Sequence, residues 1–401
     1  MTRELTYVVD LYEKYAELAA LETDRLLTKN TNSSPTNPWA RLDTDPVLDR
    51  YSNIHPWANN RVHLKVPEGC NDYINASPVS LVPTASKQSD LTKSTEDKYI
   101  CMQGPKKETV DHTWHMLWHE LAEPYETTPA VIIMLSPTHA PNPYGAGTFE
   151  KCYPYYPVDE NSEPLIINET GVLGDEFHAE VRFVSREAPT PGSTVEVRQF
   201  AMSVLGQTDE KPIWHFLYPS WPDFGALEEK NLASIISLMQ LSKEKNGRAE
   251  NPRIVHCSAG VGRTGTFIAL EFLINELQSG AWEGCTSSED PIYDTINQLR
   301  MQRRTMVQAF EQYVFLYEVM KKMWQEKYNA STGENHENKE SPVDQPQQAP
   351  PYEIFGVDGG NNGGIYDEEN DAKPNGIVDV CTTSIDNKHK AGEKCGSVEC
   401  L

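Results

Sequence analysis

Val255-His256-Cys257-Ser258-Ala259-Gly260-Val261-Gly262-Arg263-Thr264-Gly265 sets a cysteine six positions before an arginine, with glycines between and after them. A strand-like run, Pro252 to Val255, leads in, and an apolar, helix-like run, Thr266 to Gln278, leads out. Strand, glycine-rich loop and helix start together aim successive backbone N–H groups at one spot and add the positive end of the helix dipole. Such a nest holds a phosphate-sized anion. A thiol at its floor loses its proton readily, because the amides, the helix terminus and a nearby guanidinium all favour the thiolate. Lowering a cysteine pKa from about 8.5 to about 5 takes roughly 5 kcal/mol of preferential anion stabilisation. Several charge-assisted hydrogen bonds supply that together. Arg263 offers a planar fork for two phosphoryl oxygens, which lysine does not. The chemistry implied is phosphoryl transfer to sulfur.

Two other readings compete. Gly260-Val261-Gly262-Arg263-Thr264-Gly265 also fits the dinucleotide pattern G-x-G-x-x-G, which needs a second strand ending in an acidic residue about 20 positions later. Glu276 instead lies inside the helical run, and Glu283 follows no strand. A purely structural buried cysteine in a tight turn leaves Arg263 and the glycines unexplained. Phosphoryl transfer also needs an acid for the leaving group. Asp223 is the candidate, in Tyr218-Pro219-Ser220-Trp221-Pro222-Asp223-Phe224-Gly225. Pro222 fixes one backbone angle, Gly225 permits unusual ones and Trp221 supplies an anchoring ring, the features of a movable loop. An ordinary Pro-Asp surface turn is the plainer alternative.

These residues resemble the tyrosine-specific, non-receptor protein tyrosine phosphatases. The likeness runs from roughly Asp43 to Trp324 and rests on separated motifs. Arg50-Tyr51-Ser52-Asn53-Ile54, Arg61-Val62 and Asp72-Tyr73-Ile74-Asn75-Ala76 resemble the phosphotyrosine-recognition loop and the strand after it. Tyr99-Ile100, Gln103-Gly104-Pro105 and Trp114-His115-Met116-Leu117-Trp118 match a further stretch. Lys151-Cys152 with Tyr155-Tyr156-Pro157 is similar to a Lys-Cys segment. Leu299-Arg300-Met301-Gln302-Arg303, Met306-Val307-Gln308 and Glu311-Gln312-Tyr313 resemble a glutamine loop.

The resemblance implies roles. Cys257 attacks phosphorus, Arg263 and the amides of Ser258, Ala259, Gly260, Val261 and Gly262 bind the equatorial oxygens, and Asp223 protonates the tyrosyl oxygen. Gln308, helped by Gln312, positions the water that Asp223 then deprotonates, and Thr264 stabilises the departing thiolate. His256 is expected to orient the loop rather than shuttle protons, since adjacent strand side chains point to opposite faces. Tyr51 forms an aromatic wall deep enough for phosphotyrosine; Asn53, Phe224 and Lys151 complete the substrate side. Asn53 stands where the family more often has aspartate. Arg300 and Arg303 are either a second anionic contact or surface ion-pair residues. Ala226-Leu227 lacks a usual proline, Tyr156 replaces a tryptophan and Ala309 a threonine. The glutamate that braces the arginine is hard to place in the long Ser136–Lys151 stretch, with Glu150 the candidate.

The full chain has 401 residues, 35 basic and 59 acidic, for a net charge of −24. That balance argues against nucleic acid and anionic membranes as partners. Its eight cysteines show no metal-binding spacing, so no metal and no cofactor is expected. A thiolate nucleophile needs a reducing compartment. No signal-peptide core, membrane span or prenylation signal is evident, which points to a cytoplasmic protein, with the nucleus open. Strand-like runs such as Ala130–Leu135 alternate with helical stretches at Glu4–Leu27, Leu227–Lys243 and Asp294–Lys327. That pattern implies an α/β (α+β) domain whose twisted central sheet is covered on both faces; the resemblance makes it a highly twisted mixed sheet of the phosphatase-II type. The expected organisation is a helical extension at 1–42, a catalytic domain at 43–328 and an acidic, polar, disordered tail at 329–401, where Tyr352 and Tyr366 are modification candidates against a plain solvated tail. Expected partners are phosphotyrosine-containing proteins, signalling kinases among them, met by a monomer. A binding module without turnover and a dual-specificity or phosphoinositide phosphatase are the alternatives.

Overall fold

A computed structural model describes residues 3–28, 39–40, 44–83, 97–121, 128–142, 145–174, 176–188, 192–227, 229–283, 285 and 289–330. The expected tail beyond residue 330, with Tyr352 and Tyr366, lies outside them, as does most of the 28–38 break. Helices are α1 (Arg3–Leu27), α2 (Val110–Glu120), α3 (Glu229–Asn246), α4 (Gly262–Ser279), α5 (Pro291–Gln302) and α6 (Phe310–Ala330). Strands are β1 (Ala76–Ser80), β2 (Lys98–Met102), β3 (Ala130–Met134), β4 (His139–Pro141), β5 (Thr148–Glu150), β6 (Leu165–Ile167), β7 (Ala179–Arg186), β8 (Glu196–Val204), β9 (Glu210–Leu217) and β10 (Arg253–His256). Among the described residues no helix is long and apolar enough to cross a membrane.

Eight strands form one mixed sheet in the order β1-β2-β10-β3-β9-β8-β7-β6. The inner four, β2, β10, β3 and β9, run parallel, and antiparallel pairs extend the sheet on both sides. Strand β10 lies between β2 and β3, with Ile254 level with both Ile100 and Ile132. All four of its residues are buried, as expected of a central parallel strand.

The two-residue period of the strands sorts their side chains into two cores. Tyr99, Cys101, Val131, Ile133, Phe216 and Val255 pack beneath residues of α3, α4, α5 and α6. Ile100, Met102, Ile132, Met134 and Ile254 pack on the other face, against α2 and the segment around Tyr155. On α1, Leu11 and Leu18 are buried at helical spacing and join the first core.

Local signals explain the helix ends that matter. Asp290 caps α5 by accepting from the Tyr293 N–H at 3.0 Å, with Pro291 in the first turn. Gly280 ends α4 in a left-handed conformation, its N–H bonded to the last carbonyls. Parallel strands leave their carboxyl ends at one edge, where such sheets bind ligands. Here β10 runs into Cys257 and β9 into the Trp221–Gly225 loop.

Candidate active site

A cavity of 590 Å³ opens at that edge, lined among others by Tyr51, Asn53, Lys151, Asp223, Phe224, Cys257, Ser258, Ala259, Gly262, Arg263, Gln308 and Gln312. The floor is the loop from Cys257 to Val261, and its carbonyls face away from the cavity. The His256 carbonyl accepts from the Leu135 N–H at 2.8 Å, and that of Ser258 from the Gly104 N–H at 2.8 Å. Arg303 donates through Nε to the Gly260 carbonyl at 2.9 Å and through Nη2 to that of Ala259 at 3.2 Å. The Val261 carbonyl takes the N–H groups of Gly265 and Val307. With the carbonyls engaged outside, the N–H groups turn inward. Gly260 permits this tight path: its φ is 71°, and a Cβ there would lie 1.9 Å from the Met102 carbonyl oxygen.

Cys257 is almost fully buried, and burial by itself opposes a thiolate. At Cys101, buried nearby, burial dominates over the Arg303 charge and pushes the thiol up to about 12. At Cys257 burial also pushes upward. The Arg263 charge and hydrogen bonds from the Thr264 hydroxyl, the Thr264 N–H and the Gly260 N–H outweigh it and hold this thiol below its ordinary value. The loop therefore favours the thiolate of Cys257 relative to an ordinary thiol. Arg263 is itself buried, with Nη1 donating to the Trp221 carbonyl at 3.2 Å. Its Nη2 sits 3.1 Å from an Asp223 oxygen without an aligned hydrogen bond, which keeps it available to an anion in the cavity.

His256 points to the opposite face from Cys257. One ring nitrogen lies 3.1 Å from the Cys257 carbonyl, and the other meets the Tyr155 hydroxyl at 2.8 Å. Desolvation lowers its pKa to about 4 despite that backbone bond, so the ring is neutral. Tyr155 also reaches His215 Nε2 at 3.2 Å, extending a buried polar chain beneath the loop. On the rim, Tyr51 bonds the Ser258 hydroxyl at 2.8 Å, and Ser258 in turn donates to the Lys151 carbonyl. The aromatic wall is thus pinned to the loop it flanks.

Asp223 is about one-third exposed and is tied to Lys151 Nζ at 2.5 Å. Lys151 also lies over the Phe149 ring. Phe224 is largely exposed with φ 57°, an uncommon backbone state for an aromatic residue. Gln312 accepts from the Ala309 N–H and packs on Gly262, where an added Cβ would stand 3.1 Å from Gln312 Oε1. The loop before Gln308 is strained: Thr305 and Val307 have φ of 62° and 57°, at a cost of order 1–3 kcal/mol each.

Three expectations need correction. Glu150 does not brace Arg263; it pairs with Arg50 at 3.1 Å, because strand β5 directs it toward the Gly104–Pro105 segment that Arg50 also binds. Arg300 and Arg303 are neither a second anion contact nor surface ion pairs. Both are buried. Arg300 donates to the Met306 and Val307 carbonyls, and Arg303 adds the Asn75 side-chain oxygen to its loop carbonyls. The available signal was helical spacing: Ile292, Ile296, Leu299 and Arg300 share the inner face of α5, and Arg303 follows one turn on. Nothing local marked Tyr15 and Glu22 of α1, which bond the Gln308 carbonyl and Thr305.

Residues 46–322 match the family model described as protein-tyrosine phosphatase. Tyrosine-protein phosphatase 1 of Saccharomyces cerevisiae is 33% identical over 335 residues, covering 78% of this chain and 93% of that protein. Tyrosine-protein phosphatases 2 and 1 of Schizosaccharomyces pombe are 32% and 30% identical over 77% and 78% of this chain. This chain spans 38% and 51% of the length of those two proteins. The chain belongs to the protein-tyrosine phosphatase family.

Proposed function

We propose that the chain hydrolyses phosphotyrosine in proteins through a covalent phosphocysteine. One observation carries this reading: a buried thiol whose ionised form is favoured lies at the floor of an inward-facing amide nest beside Arg263. The phosphate of the substrate enters with its equatorial oxygens on the loop amides and Arg263. The Cys257 sulfur attacks phosphorus in line with the tyrosyl oxygen, and Asp223 gives that oxygen a proton as the bond breaks. In the second step water, positioned by Gln308 and Gln312, attacks phosphorus and passes a proton to Asp223. The sulfur leaves as thiolate, stabilised by Thr264 and Arg263.

Tyr51 stacks on the substrate ring and sets a depth that phosphoserine does not span. Its bond to Ser258 supports that role, because the wall and floor are fixed relative to each other. Asn53, Phe224 and Lys151 line the mouth and contact the aryl ring and flanking backbone. His256 orients the loop. Within this reading 43–328 is the catalytic domain and 1–42 an extension whose helix α1 packs on it; the tail expected at 329–401 lies, beyond Ala330, outside the described residues. The protein acts as a monomer in the cytoplasm or nucleus on phosphotyrosine proteins, signalling kinases among them.

The test is phosphate release from a phosphotyrosine peptide in EDTA, with a phosphoserine peptide alongside. Wild type is expected to turn over the first and spare the second. Cys257→Ser is expected to lose at least about 10⁵ of the rate, as removal of a nucleophile does. A wild type that binds the phosphotyrosine peptide and releases nothing would replace the enzyme with a binding module.

A further inference from the structure

Among the described residues, helix α1 meets the site at the loop between α5 and α6 that carries Gln308. The Tyr15 hydroxyl donates to the Gln308 carbonyl. About two turns further on, Glu22 takes the Thr305 N–H at 2.8 Å and the Thr305 hydroxyl at 3.2 Å, with Arg304 3.6 Å away. Tyr15 packs against Phe310 and Tyr313 at ring-centroid separations of 5.6 and 5.4 Å. The Arg300 guanidinium, which holds the Met306 and Val307 carbonyls, lies over the Tyr15 ring at 5.2 Å. Lys14 adds an ion pair to Asp290, the cap of α5.

Leu11, Tyr15, Leu18 and Glu22 recur every three to four residues, so one helical face presents two apolar anchors and two polar hooks. One hook lands on Thr305, the first of two residues held in the left-handed region, and the other on Gln308, the residue after the second, Val307. Without outside contacts, non-glycine residues relax from that region. Relaxation would rotate the peptide that precedes the Gln308 side chain, and with it the amide that faces the cavity.

We infer that α1 is a clamp on the glutamine loop, with Tyr15 and Glu22 as positioning residues for the water-attack step. This rests on the reading above, in which Gln308 orients the water whose oxygen bonds to phosphorus. In that step the sulfur–phosphorus bond breaks, its electron pair returns to Cys257, and the water proton passes to Asp223. The phosphate nest has its own supports in Arg303, His256 and Gly104, so the first step is expected to run without the clamp.

The test uses the full chain with an aryl phosphate carrying labelled phosphate, quenched in acid to trap phosphocysteine. Tyr15→Phe keeps the ring packing and removes the hydroxyl; Glu22→Gln keeps the shape and weakens the hooks. Each is expected to slow decay of the phosphoenzyme about three- to tenfold, the worth of one hydrogen bond. The value of kcat/KM, which reports the first step, is expected to stay within about twofold. Unchanged decay, or decay and kcat/KM falling together, overturns the clamp. Gln308→Ala runs in parallel to separate two failures. If it slows decay while both α1 variants do not, the clamp alone is wrong. If it leaves decay unchanged, the role of Gln308 falls and the clamp with it.

Discussion

From Cys257 to Val261 the carbonyls are held from outside the cavity by backbone N–H groups, the His256 ring and Arg303, whereas the Trp221–Gly225 loop is tied to the domain largely through charge. Asp223 bonds Lys151 and pairs with Arg263, and Arg263 also holds the Trp221 carbonyl. Trp221 is buried while Phe224 is mostly exposed. The first segment is built to keep one shape when an anion arrives. The second is built so that a substrate phosphate competes for its partners. Under the proposed mechanism, in which the site binds a fixed charge and then moves a proton twice, that division of labour is an advantage.

Substitutions that treat the two loops differently put this contrast to the test. The largest effect is expected from Arg303→Met, which leaves the Ala259, Gly260 and Asn75 oxygens without their donor. Urea unfolding is expected to show a loss of about 3–5 kcal/mol, with phosphate binding lost as well. A variant that binds phosphate normally would show that the loop holds itself. Asp223→Asn is expected to lower kcat by about 10² to 10⁴ through loss of the acid. Its unfolding free energy is expected to stay within about 0.5 kcal/mol of wild type, as for other partly exposed sites. A large stability loss there would erase the distinction between the loops.

The third effect is a pH dependence. His256 has its pKa lowered by burial to about 4. The unfolded chain takes up a proton near pH 6.5 that the folded loop refuses until about pH 4. Its contribution is therefore present above pH 6.5 and fades as pH falls toward 4, on the order of 3 kcal/mol in all. Thermal melts across that window should slope less for His256→Gln than for wild type; equal slopes would remove His256 from the account. The smallest effect is expected from Lys151→Met, where a partly exposed pair is lost. Here kcat is expected to fall by about fivefold or less, with stability unchanged.

Much of the fixed segment could be read directly from the sequence. Cys257, the glycines and Arg263 carry their chemistry in their identity and spacing, and the strand and helix around them follow from apolar period. The boundaries shifted modestly: the helix expected from Thr266 starts at Gly262, and the one expected over 227–243 is α3, Glu229–Asn246. Parts assembled from distant segments were not legible. Arg303 was open between a second anionic contact and a surface ion pair, because nothing nearby in sequence tells which carbonyls it will meet. Glu150 looked like a brace for Arg263 because its partner, Arg50, lies a hundred positions away. Tyr15 lies within the helical stretch Glu4–Leu27, and nothing local to it in sequence singles out its hydroxyl.

The place of β10 between β2 and β3 also dictates an order of assembly. Arg253 must find Tyr99, 154 positions earlier, and Ile254 must find Ile132, 122 positions earlier. Until β10 is synthesised, β2 and β3 have no common neighbour, and each presents an open edge toward the vacant slot. A growing chain that stops before Arg253 is therefore a sheet in two pieces, exposed to wrong pairing and aggregation, and long-range closure of this kind is slow. The strand that closes the sheet is also the strand that ends at Cys257. The Cys257 sulfur is consequently buried in its nest only in molecules whose central sheet has been completed.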